Sequence, residues 1–365
     1  MDFEEKKYWV LFNLFEGIGP RRFGLLLKFF GSAKAAFEAP EKEWREIGLG
    51  ESLVEKFLNF RKEKFDIDSY FLRLEKLKIR AICSEEENYP KLLKEIDDYP
   101  PVLYVQIDGN FDIFAKKTIA VVGTRKVTGY GRQVTEMITE GLATAGLVII
   151  SGLARGVDEI AHKTTLRVGG LTVGVLGCGL DLVYPPEHKE LAQKIVESGG
   201  ALVSEFPLGK PALPGNFPAR NRIISGLSLG VVVTEAAEDS GSLITASCAA
   251  EQGREVFAVP GPITSPLSKG TSELLKKGAN LVGGVEDILE ELGIEGRREF
   301  KKRTIDFSQL NEQERKIMEI LEKESLSVDE LCRRLGWESG EVGSLLSLLE
   351  IKGIVKNLGD GSYGV

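Results

Sequence analysis

Four short stretches concentrate the residue types that grip anions. The first, VVGTRKVTGYG, sets Gly123 and Thr124 before two cations, Arg125 and Lys126. A glycine-lined turn lets backbone N–H groups approach an anion, and an arginine adds a planar fork of donors. The second, SGLARGVDEIAH, carries Gly152 and Arg155 ahead of a helical pattern on which Asp158 and His162 stand four residues apart. That spacing admits a general acid/base pair. A helix-face hydrogen bond holding the turn explains it more simply. The third, GNFPARNRIISGLS, puts Phe217, Arg220, Asn221 and Arg222 between a Gly-Pro-rich loop and an apolar run. One reading is a π-face flanked by cations for a ligand; the other is a core plug with arginines paired to Glu205 or Glu235. The fourth, EAAEDSGSLITASCAAEQG, has Ser240, Gly241 and Ser242 at a helix start, where N-capping and anion binding use the same groups.

Other chemistries lack their residues. GxxxxGK[ST] does not occur, and there is no GxSxG nucleophile elbow: the string GLSLG at 226–230 leads into a Val run instead of following one. Four cysteines (Cys83, Cys178, Cys248, Cys332) lie far apart with no CxxC pair, and His162 and His188 are the only histidines. This is not a zinc-site pattern, and it fits isolated thiols in a reducing compartment. No cofactor and no metal are expected. Glu205 and Glu235 could serve a nucleotide hydrolase, but no partner base or metal ligand accompanies them.

The elements that must position these stretches follow from hydrophobic pattern. In the 365 residues, 42% are hydrophobic and 28% charged, a globular composition. Apolar runs are broken by Gly or charge well short of a membrane span. The acidic start MDFEEKKYWVLFNLF is unlike a signal peptide, so a cytoplasmic location is expected. Residues 1–80 have helical periodicity, with Gly17-Ile18-Gly19 and Gly48-Leu49-Gly50 each opening a helix. This resembles a helix-hairpin-helix (SAM-like) domain, in which such a turn holds phosphate; a plain turn between packed helices is the alternative. From residue 117, KTIAVVG, LVIISG, LTVGVLG, ALVSE, LGVVVTEA and EVFAVPG alternate with helical stretches. Continuous Val/Ile runs mean strands covered on both faces, hence a doubly wound, mostly parallel α/β sheet, expected over 81–295 with YPPVLYV as an added strand. After the connector GIEGRREFKKRTID, residues 305–365 read as three helices and a hairpin, a winged helix.

The net charge of −8 argues against nucleic acid until it is divided. Residues 116–235 hold 13 Lys plus Arg against 10 Asp plus Glu, whereas 305–365 hold 7 against 12. The cations gather in the α/β region. The winged helix's third helix offers Glu341 and Glu350 with only Lys352 as a cation, which is poor equipment for reading duplex DNA.

Taken in order, AVVGTRKVTGYG, SGLARGVDEIAH, LGCGLDLVYPPEH, SEFPLGKPALPGNFPARNRIISGLS, EAAEDSGSLITA and EQGREVFAVPG resemble the DNA-processing protein DprA (Smf) family. The resemblance is dense over residues 85–285, and YPKLLKEIDDYPPVLYV upstream is similar to the family's lead-in. It implies an extended Rossmann-like domain that binds single-stranded DNA. It also implies homodimers, help in loading RecA recombinase during natural transformation, and no catalysis. Gly123, Thr124 and Arg125 match the family's Gly-Ser-Arg loop with the hydroxyl kept. Phe217, Arg220, Asn221 and Arg222 match its NFPxRNR segment, and Ala219 stands where some relatives are basic. The expected strand-binding set is Gly123, Thr124, Arg125, Lys126, Gly152, Arg155, Phe217, Arg220, Asn221, Arg222, Ser240, Gly241 and Ser242. The rival is a nucleotide hydrolase resembling the lysine-decarboxylase-like phosphoribohydrolases. Here SGSLITA lacks the acid that follows their phosphate turn.

Overall fold

The computed structural model describes residues 1–294 and 310–364, apart from 64, 110, 322–323, 353 and 358–360. The chain divides into two compact units, residues 1–126 with 135–295 and residues 127–134 with 296–365. Most of the connector read at 293–306 lies outside the described residues.

A nine-stranded sheet organises the first unit. Its strands are β1 (Ile79–Cys83), β2 (Val102–Ile107), β3 (Thr118–Val122), β4 (Val148–Ser151), β5 (Thr172–Val175), β6 (Ala201–Ser204), β7 (Gly230–Val233), β8 (Glu255–Ala258) and β9 (Asn280–Leu281), in the order β1-β2-β6-β5-β4-β3-β7-β8-β9. β6 through β9 across the sheet run parallel, and β1 and β2 add an antiparallel margin. Every residue of β3, β4, β5, β6 and β7 is buried, which is why their sequences read as unbroken Val/Ile runs. The six runs read from sequence are β3 to β8, and YPPVLYV contains β2. β1 and β9 complete the sheet at its two margins.

The pleat sends alternate residues to two cores. Ala81, Cys83, Val102, Tyr104 and Leu202 face a core built with Trp9, Phe12, Phe23, Trp44 and Phe57 of the N-terminal helices. Ile82, Leu103, Val105, Val173 and Val203 face the other, with Ile223 and Ile224. The helices before residue 80 (Phe3–Leu14, Pro20–Phe30, Ala33–Glu38, Glu41–Glu46, Glu51–Lys62 and Ile67–Lys76) therefore share a core with the sheet. The expected boundary at residue 80 marks a change of element type inside one compact unit. The Gly-h-Gly turns are real: Gly17, Gly48 and Gly50 have positive φ. In the first, Arg22 Nη1 donates to Gly17 O at 2.6 Å, and Pro20 removes one N–H from the start of its helix. That geometry suits a turn between packed helices better than a phosphate cradle.

The chain winds from β3 through β4, β5 and β6 to one side, then returns to the other side of β3 for β7, β8 and β9. The switch lies between β3 and β7, where Val122 pairs with Val233. Ligands of open α/β sheets sit beyond the carboxyl ends of the strands at such a switch. The four stretches singled out above all leave that edge.

Helix Val157–Arg167 is stitched to the sheet through His162, whose ring is fully buried. Thr172 donates its hydroxyl to Ile149 O at 2.7 Å, so Nδ1 of His162, 2.7 Å from that oxygen, is the donor to it. Asp158 instead accepts from the backbone of Gly152 and Ala154. The expected bond between Asp158 and His162 is replaced by two separate anchors, and neither group faces a substrate. Burial, helped by the charges of His188 and Arg220, pushes the imidazole down to about 3.

The second unit has helices Glu312–Leu321, Val328–Leu335 and Ser339–Ile351, and a sheet of β10 (Leu326–Ser327), β11 (Lys356–Asn357) and β12 (Ser362–Gly364) in the order β10-β12-β11. Ser327 and Glu330 form a capping box, and Gly336 ends the helix at φ +71°, so sequence signals fix both ends of the second helix. Ile317, Met318, Leu331, Val342, Leu346 and Leu349 make its core. This is the winged helix the sequence predicts.

The His162 geometry has a pH consequence. A histidine held below its unfolded pKa of about 6.5 stabilises the fold fully above that pH and loses the contribution as pH falls toward 3. Urea midpoints are expected to fall below pH 6.5, with His162 contributing up to about 1.4 kcal/mol per pH unit. His162→Gln is expected to flatten that part of the slope; an unchanged slope would contradict a buried neutral imidazole.

Candidate nucleic-acid interface

The loop after β3 is built by close packing. A Cβ on Gly123 would lie 2.6 Å from Val157 Cγ2 and 2.7 Å from Glu235 O, so glycine is required there by its neighbours. Thr124 N donates to Glu235 O at 2.7 Å, Val157 N donates to Thr124 O at 3.1 Å, and Lys126 N donates to Thr124 Oγ1 at 3.1 Å. Gly156, at φ +79°, lies so close that a Cβ would meet Thr124 O at 2.3 Å. The amides of Thr124 and Lys126 thus bond inside the protein and are not open to an anion. The side chains of Arg125 and Lys126 are what the loop presents, both exposed.

Arg220 lies on the opposite side of this division. It is 4% exposed on helix Asn216–Gly226. Its Nη1 donates to Gly152 O at 2.7 Å and to Val175 O, joining the ends of β4 and β5. A Cβ on Gly152 would sit 2.7 Å from Arg220 Nη2 and 2.8 Å from Asp158 Oδ2, so Gly152 makes room for this pair. Burial pushes the guanidinium down to about 10, against the opposing pull of Asp158, which leaves it charged at neutral pH. Burial raises the Asp158 carboxyl, against Arg220 and the amides it accepts from. Arg222 is also internal: Nη2 lies 2.6 Å from Glu205 and Nε 3.2 Å from Asp98. Burial raises Glu205, against the Arg222 charge. Both arginines were expected to grip phosphate; their burial makes them struts, and Glu205 is fastened to one of them.

The remaining members sort by the same test. Asn221 Nδ2 donates to Gly241 O at 3.2 Å, tying two loops together. Ser240 and Ser242 hydroxyls lie 2.8 Å apart, and Leu243 N and Ile244 N donate to Ser240 O and Gly241 O. The amides at that helix start therefore turn back into their own loop, and Ser242 is buried. Gly241 is exposed. Arg155 is exposed and paired with Glu187 at 2.5 Å.

What converges on the surface is a cation and two rings. Phe217, half-buried at the start of its helix, has the Arg125 guanidinium carbon 5.7 Å from its ring centroid. Tyr184 lies on its flank, with centroids 5.4 Å apart and planes at 45°. Gly177 forms the floor, where a Cβ would lie 3.1 Å from Phe217 Cδ1. Tyr184 was missed in sequence; its signal was an aromatic directly before Pro185 in the loop after β5.

Comparison with known proteins identifies the family to which the chain belongs. Residues 80–293 match the family model described as DNA recombination-mediator protein A, and residues 307–361 match the DprA winged helix domain. Protein Smf of Escherichia coli is 48% identical over 248 residues, 68% of this chain and 65% of that protein's length. DNA processing protein DprA of Streptococcus pneumoniae is 42% identical over 64% of this chain and 81% of its own length. The crystal structure of the S. pneumoniae protein superimposes with TM-score 0.67 at 36% identity, covering 78% of this chain and 97% of that one. DNA processing protein A of Helicobacter pylori, whose structural study concerns its single-stranded DNA binding mode, gives TM-score 0.53 at 32% identity over 59% of this chain and 96% of that one.

Strut and surface arginines are separable by stability. Arg220→Met leaves two buried carbonyls without their donor and takes a positive charge away from the buried Asp158 carboxyl, and is expected to cost about 3–5 kcal/mol in urea unfolding. Arg125→Ala is expected to stay within about 0.5 kcal/mol of the parent. Equal losses in the two variants would contradict the division.

Proposed function

We propose, for a chain that belongs to the DNA recombination-mediator protein A family, that the carboxyl edge of its parallel sheet binds single-stranded DNA. The observation that carries this reading is the placement of Arg125 over Phe217, a fixed cation beside a π-face on an exposed edge. A single strand is held by cations along its backbone and aromatic platforms under its bases, and this edge sets the Arg125 cation against an aromatic cluster of Phe217 and Tyr184. Lys126 adds a second exposed cation on the same loop.

The family resemblance further supports a mediator without catalysis that hands single strands to RecA in recombination or transformation, working in the cytoplasm as a homodimer. Ile263, 98% exposed, and Leu281, 59% exposed on the outermost strand β9, are apolar surface in keeping with a second copy on that margin. A hydrolase is disfavoured by the fastening of Glu205 to Arg222. The winged helix is unsuited to read duplex DNA: Lys352 Nζ lies 2.6 Å from the buried carboxylate of Glu314, so the cation of the third helix is already paired.

Fluorescence anisotropy with labelled single-stranded and duplex oligonucleotides, titrated with salt, tests the reading. Single strands are expected to bind more tightly, with log K falling by roughly 0.7 per phosphate contact against log salt. Arg125→Ala is expected to weaken binding to all sequences alike and to reduce the slope by about one contact. Equal binding by the variant, or no single-strand binding by the parent, would contradict it.

A further inference from the structure

We propose that Tyr184 is a base-stacking residue of this interface, the outer platform on which a nucleotide of the strand lies. The proposal rests on the edge reading above and adds to it a residue in the loop after β5. Phe217 is enclosed on several sides, by Gly177 beneath, Tyr184 on its flank and the Arg125 guanidinium over its ring. Little of its face remains for a base. The ring of Tyr184, 43% exposed, is the more open of the two.

Geometry decides how a base meets the pair. Sandwiching one between two rings needs roughly 6.8 Å, twice the 3.4 Å spacing of stacked bases, and parallel planes. The centroids are 5.4 Å apart and the planes are tilted by 45°. A base therefore stacks on the outward face of Tyr184, with Phe217 as the buttress behind it. Arg125 neighbours the same buttress, which places a cation beside the backbone of a nucleotide stacked there.

The loop bearing Tyr184 is held at several points. Leu182 N donates to Gly179 O at 3.0 Å, and Cys178 Sγ to Leu182 O at 3.6 Å. Asp181 accepts from Gly209 N at 2.8 Å and pairs with Arg73 at 2.6 Å. On the far side, His188 Nδ1 lies 2.9 Å from Leu153 O. An exposed ring on a fixed loop loses little freedom on binding, which is the condition for a stacking platform. An aromatic held this way but serving only to cover Phe217 would be replaceable by any apolar side chain of similar bulk.

That difference is the test. Tyr184→Phe and Tyr184→Leu are compared with the parent by anisotropy on an oligothymidine and on an abasic oligomer of equal length. Tyr184→Phe is expected to bind as the parent does. Tyr184→Leu is expected to bind the oligothymidine roughly five- to hundredfold more weakly, with an unchanged salt slope and unchanged binding to the abasic oligomer. Parental affinity of Tyr184→Leu for the oligothymidine, while Arg125→Ala remains weak, would overturn the stacking role and leave the edge reading standing. Equal losses on both oligomers would also overturn it, marking a disturbed loop. Absence of single-strand binding by the parent would overturn both.

Discussion

The burial of one guanidinium is the constraint on which the rest of the edge depends. Arg220 is taken out of water, where a charge is tolerated only if it is paired and hydrogen-bonded. Nη1 meets that demand at the carbonyls of Gly152 and Val175, the Asp158 carboxyl acts on the guanidinium through its charge, and Nε is left without a hydrogen-bond partner among the described residues. Asp158 in turn accepts from the amides of Gly152 and Ala154. Three neighbouring pieces are thereby fixed to one another: the ends of β4 and β5 and the first turns of helix Asn216–Gly226. Phe217 precedes Arg220 by three residues on that helix and so occupies the adjacent turn. Its position over Gly177 follows from where Arg220 must be.

The edge divides its charges between framework and surface. Arg222 is paired with Glu205 and Asp98, Arg220 is buried against two carbonyls near the charge of Asp158, and both shape the loops. Arg125 and Lys126 stand on a turn whose Thr124 and Lys126 amides are bonded inward, so they reach solvent from a braced base. A braced base matters because ordering a loop on binding costs free energy that would otherwise appear as affinity. The same economy explains the glycines. Gly123, Gly152, Gly156 and Gly177 each give room to a neighbour that a methyl group would displace.

Much of this was legible in sequence and some was not, for identifiable reasons. β3 to β7 were readable because strands covered on both faces are apolar along most of their length, and β8 because its buried end continues the same pattern. The winged helix was readable from its order of three helices and a hairpin. β1 escaped because IRAIC follows directly on a helical pattern, and β9 because two residues carry no periodicity. The shared core of the N-terminal helices was invisible because periodicity shows that a face is buried but not against what. The arginines of NFPARNR were the hardest to read. An arginine facing a phosphate and one facing a carboxylate look alike in sequence, and Asp98, Asp158 and Glu205 come from three other segments. Phe217 and Arg125 were legible individually; their contact, and the presence of Tyr184 beside them, needed the fold.

Hydrogen–deuterium exchange of the whole chain, with and without an unlabelled single-stranded oligonucleotide, tests most directly where the strand lies. The account predicts added protection in peptides covering 123–128, 180–186 and 214–219, with none across the third helix at 339–351. Protection confined to 339–351, with the three edge segments unchanged, would contradict it.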